Sequence, residues 1–382
     1  MQISRRTFLR SSAFMTGGFV LGCTSSQLTH GTSGGVLSMP AEGTENVRTW
    51  MAFVANDYIW SSKQIPEVKR NLALIAKTIA KYEPVSVLVS PQDLAEAQRV
   101  FGDLNQYPHE IKLITLQVDD LWLRDTGPTF VFDEQGQKYG VNFNFNGWGG
   151  KQLSTYDAVV ADFITASTEA IAIRSTLTLE GGSFEIDGHG TAIITRSSVL
   201  NDNRNPNVNE AIVEKELKKL LGIEKIIWLE GIKGRDITDG HIDFYARFIG
   251  KSEVLVSRDN YPQSHDYQVT RQNIEALQNA TDLEGNPLKV TVVDAPDVIN
   301  EKFGVRDFAA GYLGYYLCNG AVIMQKFGDQ EADQKAKEIL AEAFPDRAIE
   351  QIAIDGIASG GGSVHCATQQ EPALSSTELV NI

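Results

Sequence analysis

Short runs of β-branched and aromatic residues alternate with amphipathic helical stretches along most of this chain, which confines it to the α/β folds. Residues 50–54 and 85–90 read as strands with a helix over 66–82 between them, where Pro66 and Glu67 suit a first helical turn. Residues 111–118, 129–132 and 139–145 read as strands, the last two joined by the hairpin turn Asp133-Glu-Gln-Gly136. A helix is expected over 156–166. Residues 183–186 and 191–195 read as paired strands around Asp187-Gly188. The segment 209–221 is amphipathic, with Ile212, Leu217, Leu220 and Leu221 on its apolar side. Strands follow over 225–229, 241–249 and 253–257, and helices over 267–280 and 332–343. A prior of about 150 residues per domain would give two domains. Nothing after Ala41 reads as an interdomain linker, so one domain over 44–382 is expected.

A faint repeat lies over this alternation. Gly127, Gly182, Gly240, Gly320 and Gly362 each open onto a strand-like run, and Phe184, Ile242, Val322 and Val364 stand two positions after the last four. Gly181-Gly-Ser-Phe-Glu-Ile186 also aligns with Gly361-Gly-Ser-Val-His-Cys366. A period of this size points to repeated units around an axis, with distant segments converging at the centre.

The N-terminus carries Ser4-Arg5-Arg6-Thr7-Phe8-Leu9 and then an apolar run to Leu21, the pattern of a twin-arginine export signal. The run falls short of the roughly 20 apolar residues that a spanning helix needs. Val20-Leu21-Gly22-Cys23 resembles a lipoprotein box, so Cys23 is expected to carry a lipid, with ordinary cleavage in the tract 24–35 as the alternative. The expected organisation is a signal over 1–22, a flexible tether over 23–43 and the catalytic domain beyond. The twin-arginine translocase would export the folded chain to the periplasm, where the lipid would anchor it to the membrane; oligomerisation is left open. A formal net charge of −15 argues against nucleic acid as a partner and suits a cationic ligand. Of the 3 cysteines, Cys318 sits in an apolar run and reads as core, although an exported chain could pair it with Cys366.

Polar residues gather in four clusters beside those glycines: Asp119-Asp-Leu-Trp-Leu-Arg-Asp125, Leu179-Glu-Gly-Gly-Ser183, Arg235-Asp-Ile-Thr-Asp-Gly-His-Ile-Asp243 and Gly360-Gly-Gly-Ser-Val-His-Cys366-Ala-Thr-Gln-Gln370. Cys366 is the candidate nucleophile; the plain alternative is a small buried thiol behind a glycine turn. A metal site could use His241 and Asp243, but no His-x-x-x-His or Cys-x-x-Cys pairing is present. A papain-like protease would place its cysteine before its histidine, whereas His241 precedes Cys366. The third reading is a cysteine hydrolase acting on a cation, because carboxylates bind a planar guanidinium bidentately. Glu180 could instead cap a glycine turn, Asp236 and Asp239 could be turn residues, and Trp122 could be plain core. Asp119 and Asp120 receive no role.

These motifs, with Asn319-Gly-Ala-Val-Ile, Phe327-Gly-Asp and Phe344-Pro-Asp-Arg347, resemble in order those of the agmatine deiminase / bacterial peptidyl-arginine deiminase family of the pentein superfamily. The resemblance implies a five-bladed α/β propeller. It implies that Cys366 attacks a guanidinium carbon, that His241 serves as general acid and base, and that Asp125 and Asp243 grip the nitrogens, with Trp122 and Glu180 in the same pocket. It implies no metal or organic cofactor, and agmatine as the first candidate substrate. Ser363 and Val364 stand where agmatine-specific members often carry Asn-Ile, and Gly311-Tyr-Leu-Gly-Tyr-Tyr316 departs from Ser-Tyr-x-Asn-Phe-Tyr. The tail of the substrate is therefore open to peptidyl arginine or another guanidine. A non-catalytic guanidine-binding lipoprotein is the alternative of another class.

Overall fold

The computed structural model describes residues 35–300 and 308–373. Its main strands form five sheets that share one plan: an antiparallel hairpin, a helix, and a strand that returns parallel to the hairpin's second strand. Thr129–Asp133 and Lys138–Asn142 form the first hairpin, and Ile171–Arg174 returns beside it after the helix Val160–Ser167. Phe184–Ile186 and Thr191–Thr195 are followed by the helix Glu210–Leu221 and the strand Lys225–Leu229. Ala246–Gly250 and Glu253–Arg258 are followed by Asp266–Gln278 and Lys289–Asp294. Tyr316–Cys318 and Ala321–Gln325 are followed by Gln330–Ala343 and Ala348–Ile352. The fifth sheet joins the two ends of the described chain. Gln369–Pro372 pairs antiparallel with Asn46–Phe53, which pairs parallel with Val85–Val89 across the helix Ile65–Ile79, and Ile111–Thr115 adds a further parallel strand.

The plan follows from local chemistry. A tight turn suffices for an antiparallel pair, whereas a parallel pair needs a long crossover, here a helix. The middle strands are buried along their length, and Thr191–Thr195 and Ala321–Gln325 are buried at every residue. The helices cover them with one face. On Ile65–Ile79 that face is Val68, Leu72, Ile75 and Ile79. Glu210–Leu221 starts where the Asn209 side chain accepts from the Ile212 amide, and it ends at Gly222, whose φ of 71° needs no Cβ.

Four expectations are corrected. Ile212 does not face the core: it is exposed, and Val213 joins Leu217, Leu220 and Leu221 there. No strand begins at His241, because Ile242–Phe244 is a short 3₁₀ turn and the strand starts at Ala246. Gly320 is not equivalent to the other glycines; it lies in the turn between Tyr316–Cys318 and Ala321–Gln325, whereas Gly127, Gly182, Gly240 and Gly362 precede the first strand of their hairpins. The tether does not run to residue 43. Leu37–Ser38 pairs with Phe132 and Asp133, and Glu42 is buried. Cys318 and Cys366 are both free and buried, and the Cys318 thiol donates to the Ala321 carbonyl at 3.6 Å. Arg5, Arg6 and Cys23 lie outside the described residues.

Candidate active site

Four units present a chemical group from the same place, the loop leading into the first strand of the hairpin. Asp125 precedes Thr129–Asp133, Glu180 precedes Phe184–Ile186, His241 and Asp243 precede Ala246–Gly250, and Cys366 precedes Gln369–Pro372. The remaining unit supplies Ala309, Ala310 and Gly311 to the wall of the same cavity. That cavity has a volume of about 650 Å³, and Trp122, Asp125, Trp148, His241 and Cys366 also line it. Gly182 stands among these side chains. A Cβ there would lie 2.5 Å from His241 Nδ1, 3.1 Å from Asp243 Oδ2 and 3.2 Å from Asp125 Oδ1, so three loops close on a position that only glycine can fill.

Asp125 is fixed from two sides. The Trp148 indole donates to Oδ2 at 3.0 Å, and the Gly182 amide donates to Oδ1 at 3.2 Å. Burial, with help from the Glu180 and Asp243 charges, pushes its carboxyl up to about 6 against the pull of His241 and Trp148. His241 lies between carboxylates, with Nδ1 3.8 Å from Asp125 and Nε2 3.2 Å from Glu180. Burial alone would lower its pKa, but the charge of Asp125 and the bond and charge of Glu180, aided by Asp243, lift it to about 9. His241 is therefore an imidazolium at neutral pH. Glu180 is fully buried and does not cap the turn that follows it; its carboxylate meets His241 and, at 3.0 Å, the Arg204 guanidinium. Burial pushes its pKa up, but His241 and Arg204 outweigh burial and hold it below the ordinary value. Its place is behind His241, and it is absent from the cavity wall.

Cys366 is almost fully buried, with its thiol 3.7 Å from Asp243 Oδ2. Burial, then the charges of Asp243 and Asp125, push the thiol well above its ordinary range. Asp243 is ionised: burial opposes this, but the bond and charge of His365, with His241, hold its pKa down. Its Oδ1 is buried without a partner, an unusual state for a carboxylate oxygen unless a ligand completes it. Trp122 is pressed against Gly362, where a Cβ would collide with the ring, and it packs on Trp60 at 6.1 Å.

The turn readings hold for Asp236 and Asp239. Asp236 accepts from the Thr238 amide at 2.6 Å, and Asp239 binds Lys151, Arg204 and the Gly234 amide. Asp119 and Asp120 join Asp157 in a buried group that holds backbone amides and the Trp60 indole. Sequence reasoning missed Trp148, Arg204, His365 and Glu42. Trp148 had a signal in Gly147-Trp-Gly-Gly150, and it adopts φ 54°, a strained conformation for a bulky residue. His365 stood beside the nucleophile in plain view. Nothing marked Glu42 or Arg204.

Asp125 and Cys366 share the cavity wall, from which Asp243, like Glu180, is absent, and carboxylates this near a thiol suit a flat cation far better than an anion or a neutral amide. The class that this fold and site define is a hydrolase of guanidino C–N bonds. The chain belongs to the Porphyromonas-type peptidyl-arginine deiminase family, whose sequence profile matches residues 38–372. A Legionella pneumophila protein provisionally named an agmatine deiminase is 36% identical over 336 residues, 87% of this chain and 94% of the relative. The agmatine deiminase of Stutzerimonas stutzeri is 34% identical over 357 residues, covering 88% and 95%. In structure, the agmatine deiminase of Enterococcus faecalis matches with a TM-score of 0.80 at 30% identity, over 88% of this chain and 96% of that one.

Proposed function

We propose that this chain hydrolyses agmatine to N-carbamoylputrescine and ammonia through a covalent intermediate on Cys366. The observation that carries the reading is the convergence of His241, Asp125 and Asp243 around Gly182, with the Cys366 thiol 3.7 Å from Asp243 Oδ2. The guanidinium enters between Asp125 and Asp243, and its positive charge offsets the two carboxylates that hold the thiol protonated. The thiol then releases its proton to solvent, and the thiolate attacks the guanidinium carbon. His241, already an imidazolium, gives its proton to the departing nitrogen, which leaves as ammonia. Neutral His241 then takes a proton from water, whose oxygen attacks the amidino-thioether. The C–S bond breaks, the ureido product forms and the thiolate is regenerated.

Two of the departures in sequence meet in space. Gly314 lies so close against Ser363 that a Cβ at position 314 would collide with that side chain, and Ser363 and Val364 are fully buried. This is a coupled exchange behind the cavity wall, and it leaves the head-group site as the relatives' names would have it. Gly311 does line the cavity, so it is the departure that bears on the substrate tail. Five repeated units, with the C-terminal strand paired to Asn46–Phe53, support a five-bladed propeller in one domain. We further propose export by the twin-arginine route and a lipid on Cys23, from the sequence pattern alone. Lysine at both Arg5 and Arg6 should then keep the protein in the cytoplasm.

Ureido-product formation from agmatine, peptidyl arginine and other guanidines tests the substrate. Agmatine should have the highest kcat/KM, and a higher value for peptidyl arginine would reassign the activity. Cys366→Ser should retain binding and lose nearly all turnover. A variant keeping more than about a tenth of the rate would remove Cys366 as nucleophile, since a covalent step is worth several decades.

A further inference from the structure

The chemistry above leaves a second buried histidine unused. His365 precedes the nucleophile, is 1% exposed and is held between two carboxylates. Its Nδ1 is 2.8 Å from Asp243 Oδ2, and its Nε2 is 3.0 and 3.1 Å from the two oxygens of Glu42. An ionised carboxylate is an acceptor only, so the short contact to Asp243 is one in which Nδ1 donates. Glu42 is itself pinned. Arg124 Nη1 meets Oε1 at 3.1 Å, and Arg247 Nη2 meets Oε2. Arg247 also binds Glu185 at 2.9 Å and the carbonyls of Leu313 and Tyr315 at 3.1 and 3.0 Å. Arg124 reaches the carbonyl of His365 at 3.4 Å, and its amide donates to that of Cys366 at 3.1 Å. This buried group thus joins all five units to the segment before the first long strand. Its charges are partnered, and a partnered buried charge is costly to disturb.

Resting on the deiminase reading, we propose that His365, backed by Glu42, is the positioning residue that turns Asp243 toward the substrate. By donating to Oδ2 it fixes the plane of the carboxylate, so that Oδ1 is the oxygen left for a guanidinium nitrogen. The unpartnered state of Oδ1 follows from this arrangement. The same contact keeps Asp243 ionised inside a buried site. Glu42 makes the arrangement stiff, because it holds the far side of the ring with both oxygens.

Asparagine and glutamine separate this role from mere packing. In His365→Asn the amide nitrogen can replace Nδ1 and keep the bond to Asp243. In His365→Gln it replaces Nε2 and keeps only the bond to Glu42. His365→Gln should lose at least about tenfold in kcat with agmatine, the scale of a slightly misplaced reacting group, and His365→Asn should recover most of that loss. The charged groups facing Asp243, namely His241, Asp125 and Arg247, and those around His365, namely Glu42 and Arg124, stay unchanged in the comparison. Equal losses in both variants would overturn the proposal. Should either variant misfold, ¹⁵N NMR of histidine in the otherwise intact Cys366→Ser chain decides: Nδ1 of His365 should carry the proton it donates to Asp243, and a bare Nδ1 would overturn the proposal. The NMR outcome does not depend on turnover, so inactivity of the unaltered chain on every guanidine would count against the deiminase reading alone.

Discussion

Cys366 and His241 are pushed in the same direction by the same carboxylates, with opposite consequences for their readiness. The imidazole is charged at rest, as the proposed acid must be, whereas the thiol is held protonated by burial as well as by those charges. The signs fix a pH profile. Asp125 must be ionised to hold a guanidinium, so kcat/KM should rise as pH passes about 6. His241 must be protonated to release ammonia, so kcat/KM should fall as pH passes about 9. Asp125→Asn should cut turnover by about a hundredfold, the scale of one preorganised electrostatic contact. Because Asp125 is the foremost group raising His241, that variant should also bring the alkaline limb down. A thermal melt beside the pH–rate profile checks both, and an unmoved alkaline limb would remove Asp125 as the neighbour that charges His241. If Asp125 only capped a turn, asparagine would serve as well and neither kinetic value would change.

The loops that carry these groups are short and sit at one fixed place in the repeated unit, before the first strand of a hairpin. Their glycines matter because the loops touch each other. Gly182→Ala places a methyl group within 2.5 Å of His241 Nδ1, and His241 cannot swing aside while Glu180 holds its other nitrogen. Turnover should fall by about a hundredfold, as for a misplacement near 1 Å, with the far-ultraviolet circular dichroism unchanged. Activity within about threefold of the parent would mean that the loops have slack, contrary to the close packing of protein interiors. Gly362→Ala should act differently, since it displaces Trp122 on the cavity wall and leaves His241 alone. Its effect should appear mainly in KM.

Across the whole molecule, the fifth unit is the one built from both ends of the described chain. Gln369–Pro372 supplies the strand beside Asn46–Phe53, and the nucleophile lies just before it. Removing residues 369–382 exposes the edge of Asn46–Phe53 and releases the loop of Cys366. The truncated chain should lose activity entirely and melt well below the parent. Calorimetry and agmatine turnover test this together; retained activity would show that the last strand does not anchor the nucleophile. A unit closed by non-local pairing also brings the two ends together late, because loop-closure entropy opposes such contacts.

The alternation of strands and helices was legible because each depends on local periodicity: two for a half-buried strand, 3.6 for a helix face. The hairpin at Asp133–Gly136, the helix Ile65–Ile79 and the cap at Gly222 need little beyond neighbours in sequence. Cys366, His241, Asp125 and Asp243 could be named as candidates because each stands in a motif whose glycines leave its loop room. Helix faces were legible only to within one residue, as the exchange of Val213 for Ile212 shows, because the adjoining sheet decides which residue is covered. Glu42, Arg204 and Arg247 were beyond the reach of sequence. A buried charge is tolerated for the partners that fold around it, and here those partners lie as far as 323 residues away. The sequence by itself determined which elements form and which groups are candidates for the chemistry. Only the tertiary structure decided which carboxylate faces which histidine, since such contacts arise from the packing of distant units and leave no local period to read.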